Sequence, residues 1–177
     1  MAQDDDATEV FGLTGTANGE SSVALVAGTD YEFAFDVFNT SGGDVAIKKV
    51  DITLPNTNYV MGTYAAPDAI HSDMEWTVEF DETTGTISWE SSGTGAMSSA
   101  EIGDIAEGDM LTFSFMATTD DAATDGFAWL LTGDDAGATF VSGVWYFGGT
   151  DDDVTPPDDD TVGDDDDDDN DSGGCGC

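Results

Sequence analysis

Residues 31–37 read YEFAFDV, and this stretch decides the fold. Large apolar or aromatic side chains occupy every second position, while glutamate, alanine and aspartate occupy the positions between them. Successive side chains of a β-strand point to opposite faces, so this spacing predicts a strand with one face in a core and the other in solvent. The stretches MEWTVEF (74–80) and LTFSF (111–115) repeat the pattern. The sequence therefore predicts sheets that each bury one face.

Six further segments have the composition of strands and are flanked by turn residues. Clusters such as SGGD at 41–44 and GDDAG at 133–137 separate them, and glycine and aspartate favour turns at such positions. Roughly nine short strands, spaced about ten residues apart, predict an all-β fold, namely a two-sheet antiparallel β-sandwich. The six further strands are expected at residues 11–17, 22–26, 45–54, 86–90, 127–131 and 139–147. The expected core is Phe33, Phe35, Val37, Ile52, Leu54, Trp76, Val78, Ile87, Trp89, Phe113, Phe115, Trp129 and Leu131.

The end of the chain has a different composition. Residues 150–177 read TDDDVTPPDDDTVGDDDDDDNDSGGCGC, with 13 acidic residues and no basic ones. Such a segment cannot bury enough apolar surface to offset its ordering entropy, so we expect a disordered, solvated spacer. One sandwich domain is expected over residues 8–149, after a disordered N-terminus at 1–7. Cys175 and Cys177 are separated by a single residue and have no nearby histidine, which favours anchoring or modification over a disulfide or a zinc site.

The charge of the chain is strongly negative. Of 39 acidic residues, 26 lie in residues 1–149, against two lysines and no arginine. This balance excludes nucleic acid as a partner, because phosphate binding needs a basic face. No unbroken apolar stretch exceeds five residues, so no segment of the sequence is expected to span a membrane. Three explanations of the charge stay open: a high-salt habitat, divalent cations held in loops, or a surface that only needs to remain soluble.

Calcium is the cofactor that the loops best accommodate. Calcium takes several oxygen ligands from carboxylates and backbone carbonyls. Two loops, at residues 120–126 and 134–135, concentrate carboxylates. The loop at 120–126 is not an EF-hand, because Ala123 stands at the third position of the motif and Thr132 at its closing position. The alternative is a set of exposed acidic loops without a metal. The candidate calcium ligands are Asp120, Asp121, Asp125, Asp134 and Asp135.

No catalytic constellation is evident. The chain has one histidine, His71, and adjacent residues do not form a catalytic triad. Glu79 and Asp81 would share a strand face, as a glycosidase carboxylate pair requires. A third carboxylate is missing, because Thr83 and Thr84 occupy the positions where it would fall. The chain is therefore not expected to be an enzyme, and a hydrolase that uses Glu79 and Asp81 is the minor alternative.

Consecutive aromatic residues suggest a binding surface. Trp145, Tyr146 and Phe147 follow one another, so strand alternation must turn at least one of them outward. Trp145 and Tyr146 are the candidate ligand-binding residues, because exposed aromatic rings with polar rims stack on sugars or contact proteins. Tyr59, Tyr64 and Trp76 could extend such a platform. The alternative is that these side chains belong to the core or cover an edge strand.

Four segments together resemble a known group of domains: YEFAFDVFNTSGG (31–43), VDITLP (50–55), TISW (86–89) and IAEGDMLTFSF (105–115). They resemble the immunoglobulin-like repeats of bacterial surface proteins and, in part, cohesin-like sandwiches, which dock partner modules. The tail is similar to the start of a MYXO-CTERM-type sorting signal, without the transmembrane helix and arginine cluster of that signal.

These observations lead to a functional expectation. The chain is expected to be a secreted or cell-surface β-sandwich module, non-enzymatic, with a structural or adhesive role and displayed on its acidic spacer. Its expected partners are the cell envelope or a surface protein or glycan. The alternative is a calcium-dependent module that binds carbohydrate or protein.

Overall fold

The computed structural model describes residues 11–41, 45–56, 58–94, 103–119, 126–134 and 140–147. These residues form nine β-strands and contain no helix, so they include no helix that could cross a membrane. The predicted N-terminus and spacer lie outside the described residues. The strands are β1 (Phe11–Ala17), β2 (Thr29–Asn39), β3 (Ile47–Thr53), β4 (Val60–Tyr64), β5 (Met74–Asp81), β6 (Thr86–Gly93), β7 (Met110–Thr119), β8 (Phe127–Gly133) and β9 (Phe140–Trp145).

The strands form two sheets. A four-stranded sheet has the order β1-β2-β7-β4, and a five-stranded sheet has the order β5-β6-β3-β8-β9. Every pairing between neighbouring strands is antiparallel. The alternating sequence produces this arrangement, because each sheet turns its apolar face toward the other. The predicted two-sheet antiparallel sandwich is confirmed.

Aromatic rings fill the space between the sheets. Phe33 of the four-stranded sheet lies 4.8 Å from Phe127 of the five-stranded sheet, measured between ring centroids. Phe113 meets Trp76 at 5.0 Å and Trp89 at 5.4 Å, both in edge-to-face geometry. Tilted and edge-to-face pairs at these distances stabilise a core beyond the area they bury. Ring contacts thus join the two sheets across the core.

The strand predicted at 22–26 is wrong. Residues 21–28 form bends and a turn that ends at Gly28, whose φ is 71°. The backbone groups of this segment bond outside any ladder: Val26 N–H donates to the Tyr31 hydroxyl at 3.0 Å, and Thr119 Oγ1 donates to Val26 O at 2.7 Å. Its apolar residues gave it a strand-like composition, yet only Leu25 of this stretch is a core residue.

The strand missing from the prediction is β4, at the edge of the four-stranded sheet. It contains Gly62, and its pairing with β7 shifts register between Met61 and Tyr64. An irregular edge strand lacks the alternation by which strands are found in sequence. Two predicted core residues, Val78 and Trp129, are only partly buried. The prediction omitted several fully buried residues, namely Phe11, Ile47, Val50, Ile105 and Phe127.

The sandwich is closed differently at its two sides. On one side Trp145 of β9 lies over Gly15 of β1, where an added Cβ would come within 2.8 Å of the indole Nε1. On the other side the indole N–H of Trp89 donates to Ala65 O at 3.0 Å, just after β4. The first side is filled by a large ring, whereas the second leaves a cleft between the sheet edges.

Candidate functional site

The outer face of the five-stranded sheet changes character from one edge to the other. Its β5 edge presents Glu75 and Glu79 to solvent. Its β9 edge presents Phe140, Val144 and Tyr146, with 68%, 48% and 57% of their surfaces exposed. We call these three residues the β9 patch. Exposed apolar side chains that cluster in this way mark interaction surfaces on soluble domains.

The geometry of β8 and β9 brings part of the patch together. Ala128 pairs with Val144 across the ladder, and Phe127 pairs with Trp145. Gly126 precedes this pairing, and a Cβ there would lie 2.1 Å from Cγ1 of Val144 and 2.8 Å from Cε1 of Tyr146. Both side chains therefore lean over the space that a glycine leaves. This space lets the valine and the tyrosine form one continuous surface.

The structure separates the two predicted ligand-binding aromatics. Tyr146 lies in the β9 patch, whereas Trp145 points to the opposite face and packs against Phe147 with ring centroids 6.4 Å apart. The Trp145 indole N–H is buried with no hydrogen-bond partner among the described residues. Tyr59 and Trp76 are buried in the core, so a platform that includes them is wrong. Tyr64 is exposed but lies on β4 of the other sheet.

The middle strand of the five-stranded sheet carries the two lysines of the chain. Lys48 and Lys49 both lie on β3, the central strand of the sheet. Lys49 Nζ lies 3.0 Å from Asp51 Oδ1, and Ser88 Oγ donates to the same oxygen at 2.5 Å. Lys49 therefore offsets the charge of Asp51 at the centre of the sheet. A negatively charged partner would meet less repulsion here than on a surface with acidic side chains alone.

The carboxylates of the minor hydrolase alternative occupy a strand end. The Asp81 carboxylate accepts hydrogen bonds from the Thr83 N–H at 2.8 Å and from the Thr84 hydroxyl at 3.1 Å. These bonds, the one from the Thr83 backbone first, lower the pKa of Asp81 below its ordinary value. A carboxyl group with a lowered pKa is ionised at neutral pH and is a poor proton donor. Asp81 thus stabilises the turn between β5 and β6.

The imidazole of His71 lies beside an acidic side chain. Its Nε2 lies 3.4 Å from Asp109 Oδ2, and both side chains are partly exposed. Among the described residues, no three His, Cys, Asp or Glu side chains gather closely enough to hold a metal. Within the described ranges, neither Glu79 nor His71 therefore belongs to a metal-binding group of this kind.

Of the five predicted calcium ligands, the structure describes one. Asp120, Asp121, Asp125 and Asp135 lie outside the described residues, as do Cys175 and Cys177. Asp134 is described, and its carboxylate accepts hydrogen bonds from Ala46 N–H at 3.0 Å and Gly103 N–H at 3.1 Å. Asp134 therefore ties two loops together through backbone donors. The calcium site stays a prediction.

Sequence reasoning missed Asp104, the most fully buried carboxylate described. It accepts hydrogen bonds from Ile70 N–H at 2.8 Å, His71 N–H at 2.9 Å and the Trp76 indole N–H at 2.7 Å. Three donors satisfy the two oxygens, which is what a buried carboxylate requires. Nothing in the sequence distinguishes this aspartate from the solvated ones, because its partners come from a distant part of the chain.

No protein-family model matches the chain, and no curated protein matches it in sequence. Solved structures are similar in fold. An uncharacterised immunoglobulin-like protein from Nocardia farcinica is 16% identical, with a TM-score of 0.47, over 73% of this chain and 81% of that one. The 35 kDa C-terminal fragment of the major pilin GBS80 of Streptococcus agalactiae is 8% identical, with a TM-score of 0.51.

That match covers 75% of this chain and 53% of the pilin fragment, so the chain spans about half of its length. A cohesin, ScaC from Acetivibrio cellulolyticus, solved in complex with the ScaB dockerin, is 14% identical, with a TM-score of 0.40, over 77% of this chain and 87% of that one. The strand order shows a β-sandwich of two antiparallel sheets, a fold that the pilin fragment shares.

Proposed function

We propose that this chain is a non-enzymatic β-sandwich module, displayed outside the cell, that adheres to a protein of the cell envelope through the β9 patch. The observation that carries the proposal is that Phe140, Val144 and Tyr146 expose apolar surface along one edge of one sheet. Burying such groups against a partner is the main favourable term in protein association.

The spacer supports display at a distance from a surface. Mutual repulsion among its aspartates extends a chain of this composition. Fully extended, 28 residues reach on the order of 90 Å. Cys175 and Cys177 at its end supply thiols for attachment to an anchor or envelope component. Fractionation of the source cells tests this part of the proposal, and recovery of the protein in the cytoplasm would contradict it.

Replacing the β9 patch tests the adhesive role. We expect the triple variant Phe140→Ser, Val144→Ser and Tyr146→Ser to lose at least tenfold in affinity for isolated cell envelopes, since buried aromatic anchors each contribute about 1 kcal/mol or more. The measurement is sedimentation of the full chain with envelopes from its source. The control is the double variant Val26→Ser and Met110→Ser, which removes equally exposed apolar side chains elsewhere. Equal binding by the triple variant and the wild type would rule out the patch as the contact.

We propose that the acidic surface is an adaptation to a saline environment, so the stability of the folded chain should depend on salt. Like charges at this density repel one another, and dissolved ions screen that repulsion. We expect the melting temperature of the full chain to rise by roughly 5 °C or more between low salt with chelator and molar sodium chloride. A gain of about 1 kcal/mol corresponds to a few degrees in a domain of this size. A melting temperature that does not change with salt would contradict this expectation.

The same melt distinguishes screening from a calcium site, the basis of the calcium-dependent alternative. A bound ion stabilises the folded state by mass action at millimolar concentration, whereas screening follows ionic strength. A rise with millimolar calcium beyond that of sodium chloride at equal ionic strength would support a site formed by Asp120, Asp121, Asp125, Asp134 and Asp135. The variant Asp125→Asn should then abolish the extra rise and leave the effect of sodium chloride unchanged.

A further inference from the structure

A second recognition feature lies at the opposite edge of the sandwich. The cleft left open between the sheet edges has a volume of about 710 Å³. It lies between β4 and the turn that joins β5 to β6, with Pro55 and Asn56 at one end. We call it the β4 cleft. Its volume falls within the range of protein pockets that bind ligands or partner side chains.

The floor of the β4 cleft is apolar, and its mouth is aromatic. Leu54 and Tyr59 are buried beneath it, and Met61 and Phe80 are partly buried. The Tyr64 ring is 41% exposed and lies 6.3 Å from the Phe80 ring, at an interplanar angle of 54°. The two rings thus form an open notch, which can contact a group from outside without rearrangement of the core.

One wall of the cleft is an edge strand. β4 pairs with β7 through Val60 with Thr118 and Met61 with Ala117, and in the described part of the chain no strand pairs with its other edge. Val60 is 64% exposed, so nothing described covers the strand there. An edge strand offers unpaired backbone donors and acceptors to an added strand. The cleft below β4 would receive the side chains that such a strand turns inward.

The charge of the cleft selects what can enter it. Glu82 is the charged side chain in the described lining. The two lysines of the chain lie on β3, where Lys49 is paired with Asp51. An acidic segment would therefore meet repulsion at the mouth, whereas a basic one would be attracted. The faces of Tyr64 and Phe80 add a cation–π attraction for an ammonium or guanidinium group.

We propose that the β4 cleft binds an extended segment of a partner protein, which pairs with the free edge of β4 and places a lysine or arginine side chain against Tyr64 and Glu82. The apolar side chains of that segment would occupy the floor above Leu54 and Met61. This site shares no residue with the β9 patch, so its binding does not depend on the adhesive role proposed above.

The test is a selection of random linear heptapeptides displayed on phage against the full chain. Enriched peptides are expected to combine a lysine or arginine with apolar residues at alternate positions. For a synthetic peptide of the enriched sequence, replacing its basic residue by glutamate should weaken binding at least tenfold in calorimetry. Methylation of its backbone amides on the pairing edge should weaken binding by a similar factor, because the methyl groups block strand addition. Failure to enrich basic peptides would overturn the proposal.

Matched variants locate the site. Tyr64→Leu keeps an apolar side chain but removes the ring face, and Glu82→Gln removes the charge at the mouth. Each should weaken peptide binding roughly threefold to tenfold. Tyr146→Leu removes an even more exposed tyrosine at the other edge and should leave the affinity unchanged, as should the triple variant of the β9 patch. Unchanged peptide binding by both Tyr64→Leu and Glu82→Gln would overturn the proposal. It would also be overturned if arginine amide, a single residue without a peptide backbone to pair, bound as tightly as the peptide.

Discussion

Asp104→Ala is expected to lower the free energy of unfolding by about 3 kcal/mol or more, the largest effect of any single polar substitution in the described structure. The change removes three hydrogen bonds to a charged acceptor, so the N–H groups of Ile70, His71 and Trp76 lose the carboxylate that accepts from them. Each hydrogen bond to a charged group is worth about 1.5–3 kcal/mol, and each buried donor left unsatisfied costs about 1–3 kcal/mol. Partial entry of water offsets some of this loss, so the expected net value lies well below the sum.

Urea unfolding followed by tryptophan fluorescence measures this loss. Glu75→Ala is the control, because Glu75 is exposed on β5 beside Trp76 and its removal deletes the same kind of charge. Removing an exposed carboxylate from so acidic a chain relieves repulsion, so Glu75→Ala should be neutral or slightly stabilising. Similar midpoints for the two variants would show that Asp104 contributes no more than a solvated acid.

Asp104 belongs to a group of polar side chains that fix residues 103–109 to the sandwich. Asn39 is buried at the end of β2, and its Nδ2 donates to Val45 O at 2.7 Å and Ile105 O at 3.0 Å. Asp134 receives the N–H of Gly103, and Ile47 forms an isolated bridge with Ile105. Two side chains, Asn39 and Asp134, and the backbone of Ile47 thus bond to a segment that has no ladder of its own. Such a buried network is stabilising only when each member is satisfied.

The regular strands could be predicted from sequence because their physics is local. Alternation along β2, β5 and β7 reflects one buried face, and the hydrophobic pattern places Phe33 and Phe113 inside without knowledge of their neighbours. Residues 22–26 and β4 were misassigned for the opposite reason. The first segment has strand-like residues but bonds to Tyr31 and Thr119, and β4 is a strand because β7 lies beside it. Both outcomes depend on contacts between distant residues.

The candidate site was only partly predictable for a related reason. Alternation requires Trp145 and Tyr146 to face opposite ways, but it does not say which one faces outward. That is decided by Gly15 on β1, which leaves room for the Trp145 ring at the sandwich seam. The roles of two acidic residues were equally hidden. Asp104 and Asp134 accept hydrogen bonds from backbone N–H groups in distant parts of the chain, and neighbouring sequence does not reveal those partners.

Phe33→Ala is expected to destabilise the chain by about 4 kcal/mol, the largest effect among core substitutions. Its ring lies at the centre of the aromatic core and contacts rings from both sheets and from the segment after β9. The centroid distances are 4.8 Å to Phe127, 5.4 Å to Phe147, 5.5 Å to Phe115, 5.9 Å to Tyr31 and 6.5 Å to Tyr59. A cavity at this position cannot be filled by collapse of one neighbour, because rings held by several strands surround it.

Phe38→Ala is the matched control, since Phe38 lies on the same strand but on the opposite, half-exposed face above Gly12. It should lose less than half as much stability in the same urea experiment, because a partly exposed ring forfeits less burial. Equal losses would mean that the core does not depend on Phe33.

The Phe33 position also bears on adhesion. Phe147 follows Tyr146 directly, and its burial against Phe33 fixes the end of β9, so the milder Phe33→Leu should weaken envelope binding through the β9 patch while the chain remains folded.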